Sequence, residues 1–206
     1  MKRMRMNHIW HAIAVALLIA GCSAQPGMRD NISATQASGK AATSTVAPRE
    51  NFVNAHAIII VRHADIDTTS KTNATPLLER GQQRAKELIT ALKDAGVTRI
   101  VTSAATRTKE TAAPLAAELH LTPEDPSARG TSAAQFVRYL AETAKPEQTI
   151  LVVQHHSSLP GILAEFGFKG EPLMEDATEF DRAYVILPDA GRQTYQLLRL
   201  RYGGKW

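Results

Sequence analysis

The chain has almost no cysteine, no long apolar run and no internal repeat. Of its 206 residues only Cys22 is a cysteine, which excludes any intrachain disulfide. The apolar run at residues 12–20 stops well short of the ~20 residues that a membrane-spanning helix needs. Stability must therefore come from a packed core, without disulfide bonds or the stacking of repeats.

A strongly basic surface is also missing from most of the chain. The sequence has 24 Lys and Arg residues against 20 Asp and Glu, a formal net charge of +4. Three of the basic residues and none of the acidic ones lie in the first 21 positions, so 21 basic residues remain against 20 acidic. No Lys or Arg cluster is left that would indicate a nucleic-acid partner.

The first 21 residues have the layout of an export signal. Three basic residues precede the short apolar region, and the stretch LLIAGC then ends on Cys22. This stretch resembles the bacterial lipobox, in which a cysteine becomes lipid-modified and forms the mature N-terminus. We therefore predict a lipoprotein signal peptide at residues 1–21 and membrane attachment through Cys22. An uncleaved anchor and a cysteine placed there by chance are the alternatives.

Two further segments follow the predicted signal. Residues 22–51 begin with the lipidated cysteine and continue with Ser, Ala, Thr, Gln, Gly and Pro without apolar periodicity, which predicts a flexible linker. Residues 52–206 are about 155 in number, enough for one compact domain. The predicted location is the bacterial cell envelope, as a periplasmic lipoprotein. Ser23 after the cysteine resembles the pattern that favours the outer over the inner membrane.

Apolar runs alternate with helical patterns through this domain. Strands are predicted at residues 56–61, 97–103 and 148–154, and helices at 81–96, 107–120, 133–143 and 157–167. Residues 182–188 and 194–202 predict a hairpin around Asp189. Strands that are nearly continuous in Ile, Val and Leu are typical of a mainly parallel sheet covered on both faces. The predicted fold class is α/β, a three-layer α/β/α sandwich with a mainly parallel central sheet.

Three predicted strands end on polar residues whose chemistry suits phosphate. These are Arg62-His63, then Ser103 with Arg107 four residues further, and then His155-His156. In parallel sheets ligands gather at the carboxyl ends of the strands, so these groups are expected to converge. Arginine binds two phosphate oxygens at once, and helix N-termini add unpaired N–H groups. Taken singly, each residue also has a structural explanation as a cap, a surface charge or a core histidine.

Four stretches of the sequence resemble the histidine phosphatase superfamily, also called phosphoglycerate mutase-like. VRHAD resembles the Arg-His-Gly/Ala signature of that family, and PLLERGQQRAKEL its next segment. TSAATRTKETAAPLA carries Ser103, Arg107, Thr111 and Ala112 in register, and LVVQHHSSLPGIL carries the second histidine, His155. Leu78, Ala104 and Gln154 depart from the pattern, where the family usually has threonine, proline and glycine.

The resemblance implies covalent catalysis. His63 would attack phosphorus in line and form a phosphohistidine that water hydrolyses. Arg62, Arg107 and His155 would bind the equatorial oxygens and stabilise the transition state. An attacking His63 must be neutral with a free ring nitrogen, and we expect its other N–H to donate to a backbone carbonyl that fixes the tautomer. No cofactor or metal is implied, because adjacent histidines such as His155 and His156 are poor co-ligands and no acidic or Cys/His set accompanies them.

The proton donor and the substrate stay open. Family members often supply an acid after the second helix, and Glu124 and Asp125 are the candidates here, although both also fit solvated loop positions. The expected activity is metal-independent hydrolysis of phosphomonoesters. The alternatives are a non-catalytic phosphate-binding module, a phosphoglycerate mutase-type phosphotransferase and an envelope scaffold. The intact set of pocket residues disfavours the binding module and the scaffold, and the short chain disfavours the mutase.

Overall fold

The computed structural model describes residues 51–69, 72–169 and 179–203. The predicted signal peptide, Cys22 and nearly all of the predicted linker lie outside the described residues. Their assignment therefore stays a prediction. Within the described part of the chain, no helix has the length and apolar character needed to cross a membrane.

The order of helices and strands agrees with the sequence pattern. The strands are β1 Ala57–Arg62, β2 Val97–Thr102, β3 Thr149–Gln154, β4 Arg182–Asp189 and β5 Thr194–Arg201. The helices are α1 Glu79–Leu92, α2 Thr106–Glu118, α3 Ala133–Thr143 and α4 Leu159–Glu165. A single 3-10 turn, Ser127–Arg129, precedes α3.

The five strands form one mixed sheet with the order β2-β3-β1-β4-β5. The pairs β2–β3 and β3–β1 are parallel, whereas β1–β4 and β4–β5 are antiparallel, the latter as the predicted hairpin. The three strands that end on polar residues are therefore adjacent and run in the same direction. This arrangement brings their carboxyl ends to one edge, as the sequence argument required.

Alternate residues of β1 face opposite helical layers, which explains why every position of this strand is apolar until Arg62. Ile58 and Ile60 pack in the cluster that contains α3 and α4, whereas Ile59 and Val61 pack in the cluster that contains α1 and α2. All six residues of β1 are buried. The predicted three-layer α/β/α sandwich is confirmed, with helices on both faces of the sheet.

The segment after β1 is held close to α1. Asp65 forms a buried ion pair with Arg84, with Nε and Oδ2 at 2.6 Å, and its backbone oxygen accepts the N–H of Leu78 at 3.0 Å. Gly81 lies against the same segment, and a Cβ atom there would come within 2.2 Å of the Asp65 oxygen. Leu78 precedes the first turn of α1 without a side-chain cap. The glycine thus allows α1 to approach the residues that follow His63.

Candidate active site

A cavity of about 400 Å³ lies at the carboxyl ends of β1 and β3 and at the first turn of α2, the helix that follows β2. The strands end nearly level, because Arg62 pairs with Gln154 and Thr102 with Val153. The four residues expected to bind phosphate, Arg62, His63, Arg107 and His155, all line this cavity. We call it the phosphate pocket. Its remaining wall is formed by Ile66, Asn73, His156 and Ser157.

His63 follows β1 directly and is 4% exposed. Its Nδ1 lies 2.9 Å from the backbone oxygen of Ala64. A neutral ring that donates from Nδ1 to this carbonyl keeps its lone pair on Nε2, which is the tautomer a nucleophile requires. The Ala64 N–H in turn donates to Thr111 Oγ1 at 2.8 Å, so α2 holds the residue whose carbonyl orients the ring.

The surroundings of His63 keep its imidazole neutral. Burial is the main cause, and the charges of Arg62, His155 and Arg107 act in the same direction. Together they lower the pKa of His63 to about 3, although the hydrogen bond to Ala64 opposes the shift. An unprotonated ring at neutral pH is available for attack on phosphorus.

The two arginines are held by backbone carbonyls. Arg62 Nη1 donates to the Glu179 oxygen at 2.9 Å, and the guanidinium carbon lies 3.9 Å from the centre of the Phe180 ring. Arg107, in the first turn of α2, donates from Nη1 to the Thr72 oxygen at 2.7 Å. These contacts reduce the rotamer freedom of both side chains before a substrate binds. A preorganised guanidinium loses less entropy when it binds an anion.

His155 completes the pocket wall after β3. Its ring centre lies 5.4 Å from that of His63. Nε2 lies 2.8 Å from Ser103 Oγ, which is itself 2.9 Å from Thr108 Oγ1. Burial, followed by the charges of Arg107 and Arg62, lowers the pKa of His155 to about 4. The ring is therefore neutral, and its hydrogen occupies either Nε2 or Nδ1.

Nε of Arg107 and Nδ1 of His155 are buried without a hydrogen-bond partner in the described part of the chain. Buried polar atoms are nearly always hydrogen-bonded, so an unsatisfied pair beside a cavity is typical of a binding site. Both atoms belong to side chains that were expected to bind phosphate oxygens.

The structure does not bring Glu124 or Asp125 into the phosphate pocket. Glu124 lies beside β2, where its carboxylate accepts Arg99 Nη2 at 2.9 Å and is also bonded by the hydroxyl of Tyr139. Asp125 forms an ion pair with Lys109 at 3.4 Å and accepts the Ser127 N–H. These hydrogen bonds lower the pKa of both carboxyls, although partial burial opposes the shift. Neither carboxylate lines the phosphate pocket, so the structure gives no support to either residue as the proton donor.

Several groups around the pocket could not be predicted. Phe180 and the Glu179 and Thr72 carbonyls contact the arginines only because the chain folds back over long sequence distances. Ser103 and Thr111 lie in the stretch TSAATRTKETAAPLA, which resembles the family. That resemblance did not predict their contacts with His155 and Ala64. Within the described residues, no group of three or more His, Cys, Asp or Glu side chains is placed to hold a metal ion.

One family model matches part of the chain. The model of the histidine phosphatase superfamily (branch 1) matches residues 58–129, a range that contains Arg62, His63 and Arg107. No curated protein sequence matches the chain significantly.

Several solved structures share the fold at low sequence identity. The protein histidine phosphatase SixA complexed with tungstate is 17% identical, with a TM-score of 0.56 over 70% of this chain and 96% of SixA. A putative alpha-ribazole-5'-P phosphatase from Escherichia coli is 18% identical, with a TM-score of 0.55 over 72% and 97% of the two chains. The mycobacterial glucosyl-3-phosphoglycerate phosphatase is 14% identical, with a TM-score of 0.52 over 69% and 96%. At these identities, the similarities show a shared fold and nothing more.

Proposed function

We propose that the chain is a member of the histidine phosphatase superfamily and hydrolyses phosphomonoesters through a phosphohistidine formed on His63. The observation that carries the proposal is the contact between His63 Nδ1 and the Ala64 carbonyl, inside a pocket that also contains two guanidinium groups. This contact leaves the lone pair on Nε2, and the guanidinium groups stabilise the phosphoryl group that Nε2 attacks.

The reaction has two steps. In the first, Nε2 of His63 forms a bond to phosphorus while the bond to the leaving oxygen breaks, and the leaving alcohol takes a proton. In the second, water attacks the phosphohistidine, which releases inorganic phosphate and restores neutral His63. Arg62 and Arg107 supply the positive charge that the transferring group needs, which supports a reaction without a metal ion.

The described residues that line the phosphate pocket include no carboxylic acid. If none of the other residues supplies an acid, the leaving oxygen departs as a stabilised anion or takes its proton from water. We therefore expect faster turnover of aryl phosphates, whose leaving groups are weak bases, than of alkyl phosphates. The SixA and glucosyl-3-phosphoglycerate phosphatase structures differ in the substrates that their names state, so the fold alone does not select the leaving group.

The test compares two histidine substitutions in the purified full chain, with an aryl phosphate as substrate in buffer that contains EDTA. We expect His63→Ala to abolish turnover, because the nucleophile is lost. His56→Ala is the matched control, since His56 is exposed and lies just before β1, at the opposite end of the strand. An acid-labile, base-stable phosphorylated species should be trapped in the wild-type chain and not in His63→Ala.

Other outcomes would change the assignment. Equal turnover in both variants would contradict the role of His63. Binding of inorganic phosphate without turnover in the wild-type chain would favour the phosphate-binding module. Transfer of phosphate between two phosphoglycerates, rather than release of inorganic phosphate, would favour a mutase.

We also propose that the phosphatase is exported and attached to a bacterial membrane through Cys22. The support is the lipobox-like stretch at the end of the apolar N-terminal region. Palmitate labelling of the wild-type chain and of Cys22→Ser tests the attachment. Labelling should be lost in the variant, and undiminished labelling would contradict the anchor.

A further inference from the structure

A second cavity of about 310 Å³ opens beside the phosphate pocket. The two cavities share Asn73, His155 and Ser157 as lining residues, so a molecule bound through its phosphate can extend from one into the other. We call the second cavity the side chamber. Its volume is at the small end of the range found for small-molecule sites, which begins at roughly 300 Å³.

The wall of the side chamber is mainly apolar, with hydroxyl groups set into it, and carries almost no charge. Hydroxyl groups come from the segment before α3 and the start of α4, and include Ser127, Thr131 and Ser157. Phe136 and Ile162 form an apolar part of the wall. Among the described lining residues, His155 is the only one with an ionisable side chain. Its pKa is lowered to about 4, so the ring is neutral at physiological pH.

The charged residues nearest to the chamber wall in sequence are held by other groups. Asp125 precedes the lining residue Pro126 and forms an ion pair with Lys109 at 3.4 Å. Arg129 precedes the lining residue Gly130 and forms an ion pair with Glu142 at 3.6 Å. Neither side chain lines the chamber. A charged group bound there would therefore lack a partner of opposite sign among the described residues.

The positive charge of the neighbouring pocket is also matched by the phosphate itself. Arg62 and Arg107 carry two positive charges, and the dianion of a phosphomonoester carries two negative ones. Once the phosphate is bound, little net charge remains to attract a carboxylate in the chamber. A charged group that enters the chamber loses part of its hydration without a compensating ion pair.

We propose, on the basis of the phosphatase activity proposed above, that the side chamber binds the alcohol part of the substrate, and that this alcohol is uncharged and bears hydroxyl groups. The hydroxyl groups of the wall are donors and acceptors for such an alcohol, and Phe136 and Ile162 contact its carbon skeleton. Sugar and polyol phosphates have this chemistry. Phosphorylated sugar acids and amino sugars carry an additional charge and are disfavoured.

Two isosteric substrates test the proposal on the full chain. Glycerol 3-phosphate and 3-phosphoglycerate differ in that a neutral hydroxymethyl group replaces a carboxylate. We expect kcat/KM to be about ten- to a hundredfold higher for glycerol 3-phosphate, since an unpaired charge costs roughly as much as a lost charged hydrogen bond. The value of kcat/KM should also be higher for glucose 6-phosphate than for glucosamine 6-phosphate, which carries a positive charge. This second pair shows whether the chamber disfavours only negative charge or charge of either sign.

A second test of the proposal places a charged side chain in the chamber. Thr131 is exposed and lines the chamber away from the phosphate pocket. Thr131→Arg should raise kcat/KM for 3-phosphoglycerate relative to glycerol 3-phosphate, whereas Thr131→Gln, of similar polarity but neutral, should leave the ratio unchanged. A wild-type ratio near one, a preference for the carboxylate, or a ratio that Thr131→Arg does not move would overturn the proposal.

A reference substrate separates this inference from the proposed function. p-Nitrophenyl phosphate carries no charge on its leaving group and reports the chemistry itself. If it is hydrolysed and the isosteric pair shows no preference, the chamber proposal fails while the phosphatase stands. If it is not hydrolysed, the proposed function fails and the chamber proposal with it.

Discussion

The hydroxyl of Ser103 lies 2.8 Å from Nε2 of His155. The other ring nitrogen of His155, Nδ1, has no hydrogen-bond partner among the described residues. The backbone N–H of Ala105 donates to the same Ser103 oxygen at 3.3 Å. Thr108 Oγ1 donates to the Ala105 carbonyl at 2.8 Å, so the single hydroxyl hydrogen of Ser103 goes either to Thr108 Oγ1 or to Nε2 of His155. When it goes to Nε2, the hydrogen of the neutral ring lies on Nδ1. His155 would in this way present a donor to a phosphate oxygen.

Replacement of Ser103 tests this coupling. We expect Ser103→Ala to lower kcat/KM by about five- to tenfold, the value of one neutral hydrogen bond, because the ring loses its fixed tautomer. Ser103→Thr keeps the hydroxyl and should restore most of the activity. The ¹⁵N chemical shifts of His155 should change from one protonated nitrogen to a mixture in Ser103→Ala. Thr122→Ala, at an exposed loop position, is the control, and unchanged shifts in Ser103→Ala would contradict the coupling.

Arg107 should carry a large part of the transition-state stabilisation. We expect Arg107→Ala to lower kcat/KM by about 10²–10³, the usual effect of removing one preorganised donor to a developing charge. The kcat/KM of Arg107→Lys should lie between those of the wild-type chain and Arg107→Ala. An ammonium group keeps the charge but cannot bind two oxygens in a bidentate way. Arg138→Ala removes an exposed arginine from α3 and should have no effect. An unchanged kcat/KM in Arg107→Ala would contradict the pocket as described.

The pH dependence follows from the low pKa of His63, about 3. The nucleophilic form is the neutral ring, so a lowered pKa extends the active form to lower pH than an ordinary histidine of pKa 6.5 would allow. An NMR titration of the His63 ring should show no protonation step near pH 6.5. Any acid limb of kcat/KM near pH 6 should then follow the second ionisation of the substrate, whose pKa is about 6 for a phosphomonoester. A ring titration near pH 6.5 would contradict this.

The same pKa predicts how stability depends on pH. The unfolded chain binds a proton to this histidine near pH 6.5, whereas the folded protein resists it until about pH 3. The contribution of neutral His63 is therefore fully present above pH 6.5 and is lost as the pH falls towards 3. Urea denaturation of the wild-type chain and of His63→Asn between pH 7 and 4 should show a shallower loss of stability in the variant.

Gly81 should be intolerant of a side chain. A Cβ atom there would come within 2.2 Å of the Asp65 backbone oxygen, so Gly81→Ala forces α1 away from the segment that follows His63. We expect a destabilisation of about 1–3 kcal/mol and a lower kcat. Gly191→Ala is the matched control, because its new Cβ would meet its nearest neighbour at an ordinary 3.5 Å. Equal unfolding midpoints for the two variants would contradict the close contact.

Glu124 should matter for stability rather than for proton transfer. Glu124→Gln removes the ionic partner of Arg99, which is 7% exposed, and should cost about 1–3 kcal/mol in the free energy of unfolding. Turnover of glycerol 3-phosphate, whose leaving group needs a proton, should fall no more than that of an aryl phosphate. Asp125→Asn should behave likewise in turnover without the loss of stability. If either variant lost turnover of the alkyl phosphate but kept that of the aryl phosphate, the replaced carboxyl would be the proton donor.

Much of the fold was predictable because local patterns encode which positions are buried. The continuous apolar run before Arg62 predicted β1, and the helical stripe predicted for residues 81–96 corresponds to α1, Glu79–Leu92. The convergence of Arg62, His63, Arg107 and His155 was predictable only on the assumption that the three strands are parallel neighbours. Their roles in catalysis remain predictions.

Directions of side chains were not predictable in the same way. Glu124 looked like a loop acid, yet its backbone pairs beside β2 and its carboxylate extends to Arg99. Phe180 had no motif, and it contacts Arg62 from a residue 118 positions away, just before β4. Such contacts depend on where distant segments pack, and the sequence pattern carries little information about that.

The sequence by itself determined the order of strands and helices, the polar ends of three strands and the resemblance to a phosphatase family. Apolar periodicity and residue type are local properties, and whether a segment forms a helix or a strand depends largely on such local properties. The tertiary structure alone decided the sheet order, the partner of His155, the position of both loop acids outside the lining of the phosphate pocket, and the uncharged chamber beside that pocket. Each of these depends on distances between residues far apart in the chain, which exist only once the core has packed.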